Sequence, residues 1–183
     1  HNGTYADPFD LEDEVTFATA RSSKLVDLIR DAYCSTRAPL VHVLTSGMRA
    51  TTGWIDEIVD RFDDSELGAT AATLADHAGH VCGAAAWSDV AGRHCQPLSN
   101  TTFASRSGNG FFLNGFSIRR RLLGGLLEAV APAMVDPVAV AYAFSCLVSR
   151  AGWRIDVARD SALEVDESSI PPDQSDLDRG ICL

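Results

Sequence analysis

Four side chains with the chemistry to bind a transition metal occur in two pairs, His80 with Cys82 and His94 with Cys95. Imidazole nitrogen and thiolate sulfur are ligands that zinc prefers. The spacing of the pairs matches no standard zinc motif, and isolated buried cysteines with surface histidines explain them more simply. We therefore assign no metal site to the chain.

Other side chains point to contact with an organic ligand. The run Arg119-Arg120-Arg121 could bind a phosphate, although such a run more often caps a helix or faces solvent. Tryptophans usually belong to a core. Trp87, however, precedes a long loop predicted over residues 88–109, and long loops often carry function. Trp87 is therefore the aromatic residue that we single out for contact with a carbohydrate.

Composition limits the classes of partner. The chain has 183 residues, a net charge of −10 and 46% apolar residues, which predicts one ordinary globular domain. An acidic surface disfavours nucleic acid and anionic membranes as partners, and no apolar run is long enough to span a bilayer. Five widely spaced cysteines without a CxxC pair predict free thiols in a reducing compartment, and hence a cytoplasmic protein.

Hydrophobic periodicity predicts helices that alternate with buried strands. This alternation favours an α/β fold with a mostly parallel central sheet. The polar ends, residues 1–15 and 164–183, are predicted to be peripheral arms of a single domain. The predicted helices cover residues 24–33, 53–62, 119–123 and 138–151, and the predicted strands cover residues 40–44, 69–74, 81–87, 110–118 and 153–157.

Several segments of the chain occur in an informative order. A buried strand over residues 40–44 precedes Gly53-Trp54-Ile55-Asp56, which opens a helix, and a polar turn then leads to the next strand. Three further segments are residues 17–21 (FATAR), 114–126 (NGFSIRRRLLGGL) and 150–155 (RAGWRI). In sequence and order, these segments resemble the family 2 glycosyltransferases.

The resemblance implies a GT-A fold, a three-layer α/β/α arrangement with a mostly parallel central sheet, and a nucleotide-sugar ligand. Active members hold Mg or Mn on an Asp-x-Asp motif at the end of the strand that corresponds to residues 40–44. This chain has Leu44, Thr45 and Ser46 at that place. Because a metal held on carboxylates neutralises the charge of the leaving diphosphate, their replacement predicts loss of metal-dependent transfer.

The catalytic base of the family is also replaced. The family's Glu-Asp pair falls here on Val140 and Ala141. The nearest acid, Asp136, lies about one helical turn earlier and is the candidate base. An aspartate directly before Pro137 is also typical of a helix N-cap, and we favour that role.

These observations predict a glycosyltransferase-like pseudoenzyme, related to bacterial polysaccharide biosynthesis, that binds a nucleotide sugar or carbohydrate or acts in assembly with a partner subunit or further copies. One alternative is an active transferase, metal-independent or using Mg or Mn. Another is a non-catalytic scaffold for self-association. The candidate substrate-binding residues are Thr45, Ser46, Trp87, Asn114 and Arg119.

Overall fold

The structure is a computed structural model that describes residues 22–90, 94–99, 108–130 and 136–166. Its helices and strands form a mixed α/β fold around one sheet that curves into a nearly closed barrel. The helices are α1 (Leu25–Ser35), α2 (Trp54–Arg61), α3 (Arg120–Ala129) and α4 (Pro137–Arg150). The strands are β1 (Leu40–Leu44), β2 (Met48–Ala50), β3 (Leu67–Ala75), β4 (Val81–Val90), β5 (His94–Ser99), β6 (Gly110–Phe111), β7 (Gly115–Arg119) and β8 (Arg154–Val165).

The sheet is mostly antiparallel. Its main path runs in the order β1-β7-β3-β4-β5, with β6 paired to β4 and with β8 paired to both β3 and β2. Of the strand pairs in the described residues, β3 with β8 is parallel and all the others are antiparallel. The strand β3 lies at the centre and is buried at every position.

The prediction of a mostly parallel, GT-A-like three-layer sheet is wrong. The connection from β3 to β4 is the turn from Asp76 to His80, closed by a hydrogen bond from the Asp76 amide to the His80 carbonyl at 2.9 Å. A parallel pair needs a crossover of a dozen or more residues, so a turn this short makes the pair antiparallel. The apolar run of β3 did not reveal this, because a strand buried on both faces looks the same in either kind of sheet.

Most local elements agree with the sequence pattern, and several differ in their bounds or were not predicted. The predicted helices over residues 53–62 and 138–151 correspond to α2 and α4. The helix predicted to stop at Gly124-Gly125 continues to Ala129, since a glycine costs a helix only about 1 kcal/mol. The strand β5 lies inside the predicted loop over residues 88–109, and β2 was not predicted.

The helices cover two apolar clusters. α1, α3 and α4 pack with β3, β6 and β7 around a core in which the rings of Phe111 and Phe116 stack with centroids 4.7 Å apart. α2 packs with Leu67 and Ala158 in a separate cluster. Since Val157 belongs to the first cluster and Ala158 to the second, the two clusters lie on opposite faces of β8.

Residues 1–21 and 167–183 hold nearly all of the two predicted arms and lie outside the described residues, as does the FATAR segment at residues 17–21. The strand β8 continues to Val165. No helix in the described ranges is long and apolar enough to cross a membrane.

Candidate functional site

The outer edge of β1 is the starting point of the candidate site. β1 pairs with β7 from Leu40 opposite Arg119 to Leu44 opposite Gly115. The Thr45 amide donates to the Asn114 carbonyl at 3.3 Å, and the Arg120 amide donates to the Pro39 carbonyl at 2.8 Å.

These two bonds fix which way each β1 backbone group faces, because hydrogen-bonded and non-bonded pairs alternate along an antiparallel ladder. The amides and carbonyls of Val41 and Val43 face β7. Those of Leu40, His42 and Leu44 face away from it. Within the described ranges no strand pairs with this second edge.

A groove of about 730 Å³ runs along this free edge, between β1 and α1. Its volume lies within the range of small-molecule sites. The walls are mainly apolar, with a tyrosine ring and several hydroxyl groups. The lining residues are Ser23, Leu25, Leu28, Ile29, Ala32, Tyr33, Thr36, Leu40, Val41, His42, Val43, Leu44, Thr45 and Ser46.

The wall that α1 contributes is held in place by contacts with α3. The Arg120 guanidinium lies over the Tyr33 ring at 4.2 Å from its centroid and donates to the Thr36 carbonyl at 3.0 Å. From the other side, Arg30 donates to the Leu127 carbonyl at 3.2 Å. Gly124 leaves room for the Tyr33 hydroxyl, so the tyrosine ring is fixed against α3 where it lines the groove.

Two candidate residues meet at the end of β1. The Thr45 hydroxyl lies 3.4 Å from the Asn114 carbonyl oxygen, in addition to the backbone bond between the same residues. Ser46 continues the lining of the groove at this end. The fold thus brings together two residues that are 69 positions apart in sequence, and ligand binding by Thr45, Ser46 and Asn114 stays a prediction.

Charged groups are absent from the named lining of this groove. Of the residues that the structure describes, no group of three or more His, Cys, Asp or Glu side chains is arranged to hold a metal ion. The side chains of His94 and Cys95, two of the four soft ligands weighed above, lie outside the described part. The groove is therefore suited to a neutral ligand, with hydroxyl groups to orient it.

His42 was not identified from the sequence, and its ring lies on the face of β1 that meets α2, opposite the face on which Val41 and Val43 pack with α1. Its Nδ1 lies 2.7 Å from the Ser117 hydroxyl, and its ring meets Trp54 edge-on with centroids 5.6 Å apart. Burial lowers the pKa of His42 below its ordinary value of 6.5, so the ring is neutral at neutral pH. A single histidine within an apolar strand was the available signal, but it is equally typical of a core position.

His42 begins a row of polar residues across the sheet. The strand registers place it opposite Ser117, Ser117 opposite Thr70, and Thr70 opposite Asp156. Asp156 accepts a hydrogen bond from Arg61 at 2.8 Å. The fully buried Thr70 hydroxyl has no hydrogen-bond partner among the described residues.

The other candidate residues lie away from the groove. The Trp87 ring is 5% exposed, stacks on Tyr142 with centroids 5.5 Å apart, and covers Gly110. Arg119 donates to the carbonyls of Leu67, Phe62 and Asp64 at 2.7–2.8 Å. These contacts are structural, and ligand binding by Trp87 and Arg119 stays a prediction.

Asp136 occupies the position that its neighbour Pro137 indicates. Its carboxylate accepts a hydrogen bond from the Val138 amide at 2.9 Å, and Pro137 is the first residue of α4. This is an N-cap, the role that the sequence favours over a catalytic base.

A second, more polar cavity of about 510 Å³ lies between Asn109, Trp153 and the start of β8. Its charged side chains are already engaged. Arg154 pairs with Asp64 at 2.5 Å, and Asp156 pairs with Arg61 at 2.8 Å. This cavity therefore offers a ligand less unused hydrogen-bonding capacity than the groove beside β1.

Comparison with known proteins adds no assignment to this geometry. Neither a family model nor a curated protein matches the chain.

Proposed function

We propose that this chain binds a carbohydrate in the groove between α1 and β1 without metal-dependent sugar transfer. The observation that carries the proposal is the groove itself, which opens at Thr45 and Ser46. In the sequence resemblance to the family 2 enzymes, these residues stand at the place of the metal-binding Asp-x-Asp motif. Because the sheet is not of the GT-A type, the proposal depends on the groove and not on the family's fold.

The chemistry of the walls supports a saccharide as ligand. A sugar ring has an apolar face, which packs on apolar and aromatic side chains, and a rim of hydroxyl groups that need hydrogen-bond partners. Tyr33 and the apolar residues of α1 supply the first kind of contact. Thr36, Thr45 and Ser46 supply the second.

The same walls disfavour a nucleotide diphosphate as the main source of affinity. A diphosphate needs cationic or metal contacts to offset the loss of its hydration. None of the described residues that line this groove is an arginine or a lysine. The net charge of −10 also repels an anion at long range. A nucleotide sugar is therefore expected to bind through its sugar.

Calorimetric titration tests the proposal, using a panel of neutral mono- and oligosaccharides together with UDP- and GDP-sugars, each with and without Mn²⁺. We expect saccharide binding that Mn²⁺ does not change and that Thr45→Val weakens. Thr52→Val is the matched control, because Thr52 is exposed and does not line the groove. Binding that appears only with Mn²⁺, or no binding of any member of the panel, would overturn the proposal.

A further inference from the structure

The groove between α1 and β1 differs in polarity from one end to the other. The connection from α1 to β1 comprises only residues 36–39, and the two elements line the groove side by side, so they run in opposite directions. Arg120 holds both ends of this connection, since it donates to the Thr36 carbonyl at 3.0 Å and to the Pro39 carbonyl at 2.8 Å. The start of α1 therefore lies beside the end of β1.

Hydroxyl groups line the groove where the start of α1 meets the end of β1. They belong to Ser23, which lies two residues before α1, and to Thr45 and Ser46, which follow β1. Ser23 and Ser46 are exposed, and Thr45 is half-buried. Each hydroxyl group can both donate and accept a hydrogen bond, as a sugar hydroxyl group requires. We call these three residues the hydroxyl end of the groove.

An apolar stripe on α1 extends from the hydroxyl end. It consists of Leu25, Leu28 and Ala32, which recur at the three- and four-residue spacing of one helix face and line the groove. Leu25 and Leu28 are half-buried and Ala32 is exposed, whereas Val26 on the neighbouring face is 6% exposed in the core. The stripe is therefore apolar surface that the core does not fully cover.

Two valines of β1 form the opposite side of the groove. Val41 and Val43 are half-buried and pack against the same apolar cluster as α1. Their side chains stand perpendicular to the sheet, whereas the outward-facing backbone groups of β1 lie in its plane. An apolar group between α1 and these valines therefore leaves the backbone groups open to water and avoids the cost of burying them without partners.

We propose that the ligand of this groove is an uncharged glycoside whose aglycone is an apolar chain. The sugar binds at the hydroxyl end, and the aglycone binds along the apolar stripe. This inference rests on the proposed carbohydrate binding and specifies the class of carbohydrate.

Polarity and charge favour this ligand over a plain oligosaccharide and over an ionised lipid. A further sugar unit on the apolar stripe would need partners for its hydroxyl groups, and leucine and alanine side chains offer none. The described lining residues carry no charged side chain, so an ionised headgroup would lose its hydration without compensation. An uncharged amphiphile matches both the hydroxyl end and the stripe.

Calorimetric titration of the unmodified protein with glucosides, galactosides and mannosides of increasing alkyl length measures the contribution of the aglycone. Full burial of one methylene group strengthens binding by about fourfold. We expect an octyl glycoside, below the concentration at which it forms micelles, to bind at least about tenfold more tightly than the methyl glycoside. Equal affinities would mean that the stripe is already covered, and would overturn this inference but not saccharide binding. Absence of binding by every saccharide and glycoside would overturn both.

An uncharged detergent without a sugar tests the hydroxyl end. An octyl oligo(ethylene glycol) ether has the same apolar chain as the octyl glycosides. It should bind at least about tenfold more weakly than the best of them, because it lacks the ring of hydroxyl groups. Equal binding would show that the groove recognises only the chain and would overturn the inference.

A variant of the apolar stripe tests where the aglycone lies. Leu28→Ala should weaken binding of the octyl glycoside by at least about fivefold and leave binding of the methyl glycoside unchanged, because the stripe contacts only the aglycone. Leu147→Ala is the matched control, since Leu147 is 36% exposed on α4 and is not among the residues that line the groove. An equal loss for the octyl and methyl glycosides would overturn the assignment of the stripe to the aglycone.

Discussion

Gly124 of α3 lies so close to Tyr33 of α1 that a β-carbon at Gly124 would sit 2.5 Å from the tyrosine hydroxyl oxygen. The ring has little freedom to retreat, because the Arg120 guanidinium lies over it. The absence of one methyl group on α3 therefore sets the position of the helix that forms one wall of the groove.

Gly124→Ala should destabilise the protein relative to Gly125→Ala. Both changes bring the same gain in helix propensity, about 1 kcal/mol. A β-carbon at exposed Gly125 has no neighbour within 4 Å, whereas at Gly124 it collides with Tyr33. Overpacking of this kind costs about 1–3 kcal/mol, which is the expected difference in the free energy of unfolding in urea. Equal stability of the two variants would mean that α1 adjusts without cost.

Replacements of Asp136 separate its two candidate roles. As an N-cap of α4, Asp136→Ala should cost about 1 kcal/mol of stability, whereas Asp136→Asn should cost little because asparagine caps equally well. A general base needs an ionisable group, so the asparagine variant would abolish any transferase activity. Thermal unfolding of both variants and a transferase assay of the asparagine variant make the comparison. A stable asparagine variant that loses a transferase activity shown by the unmodified protein would restore the catalytic role.

His77 should make the protein less stable as pH rises. Its Nδ1 contacts Glu164, and its Nε2 lies 3.3 Å from Asp166. The two nitrogens can donate hydrogen bonds to these carboxylates at the same time only when the imidazole is charged. The hydrogen bond and the charge of Glu164, and the charge of Asp166, raise the pKa of His77 above 6.5, although Arg49 opposes this. The stabilisation is therefore present below pH 6.5 and is lost above it, as pH passes the folded-state pKa.

Urea denaturation of the His77→Gln variant across that pH window provides the check. The variant should lack this part of the decline in stability and should unfold more easily than the unmodified protein at pH 6. Because both partners are at the surface, the effect should shrink at high salt. If the substitution leaves the decline in stability with rising pH unchanged, groups other than His77 cause that decline.

His42 should act in the opposite direction. Burial lowers its folded-state pKa below 6.5, so the unfolded chain binds the proton more readily than the native protein. Stability is then complete above pH 6.5 and falls as the pH drops from 6.5 toward the folded-state pKa. A His42→Gln variant, with His77 unchanged, should lose this acid-side slope in the same denaturation series. An unaltered slope would show that the imidazole is solvated in solution.

The local elements follow from the sequence because their signals are local. Pro137 at the first position of a helix and Gly152 at positive φ just after it delimit α4 without reference to the rest of the chain. The pairing of strands depends instead on distant residues. The turn between β3 and β4 is short enough to exclude a parallel pair. The prediction of a parallel sheet followed the apolar pattern of β3 instead.

In the candidate site, too, some residues follow from sequence motifs, whereas other features depend on contacts between distant parts of the chain. Thr45 and Asn114 were identified through a resemblance that spans both segments, and they are in contact. The groove depends on the fit of Tyr33 against Gly124, which no short motif encodes. His42 was missed because its role arises from Ser117 on a neighbouring strand and from Trp54 on α2.

The parallel pair of β3 and β8 has a consequence for how the chain folds. The Thr73 hydroxyl donates to the carbonyl of Ala158, 85 residues later, so the central strand cannot complete its pairing until a much later segment has been synthesised. Contacts this distant in sequence slow folding, and a growing chain exposes its unpaired apolar strands in the meantime. On the ribosome, β3 would spend that interval without its parallel neighbour, and chaperones that shield apolar strands would have their target there.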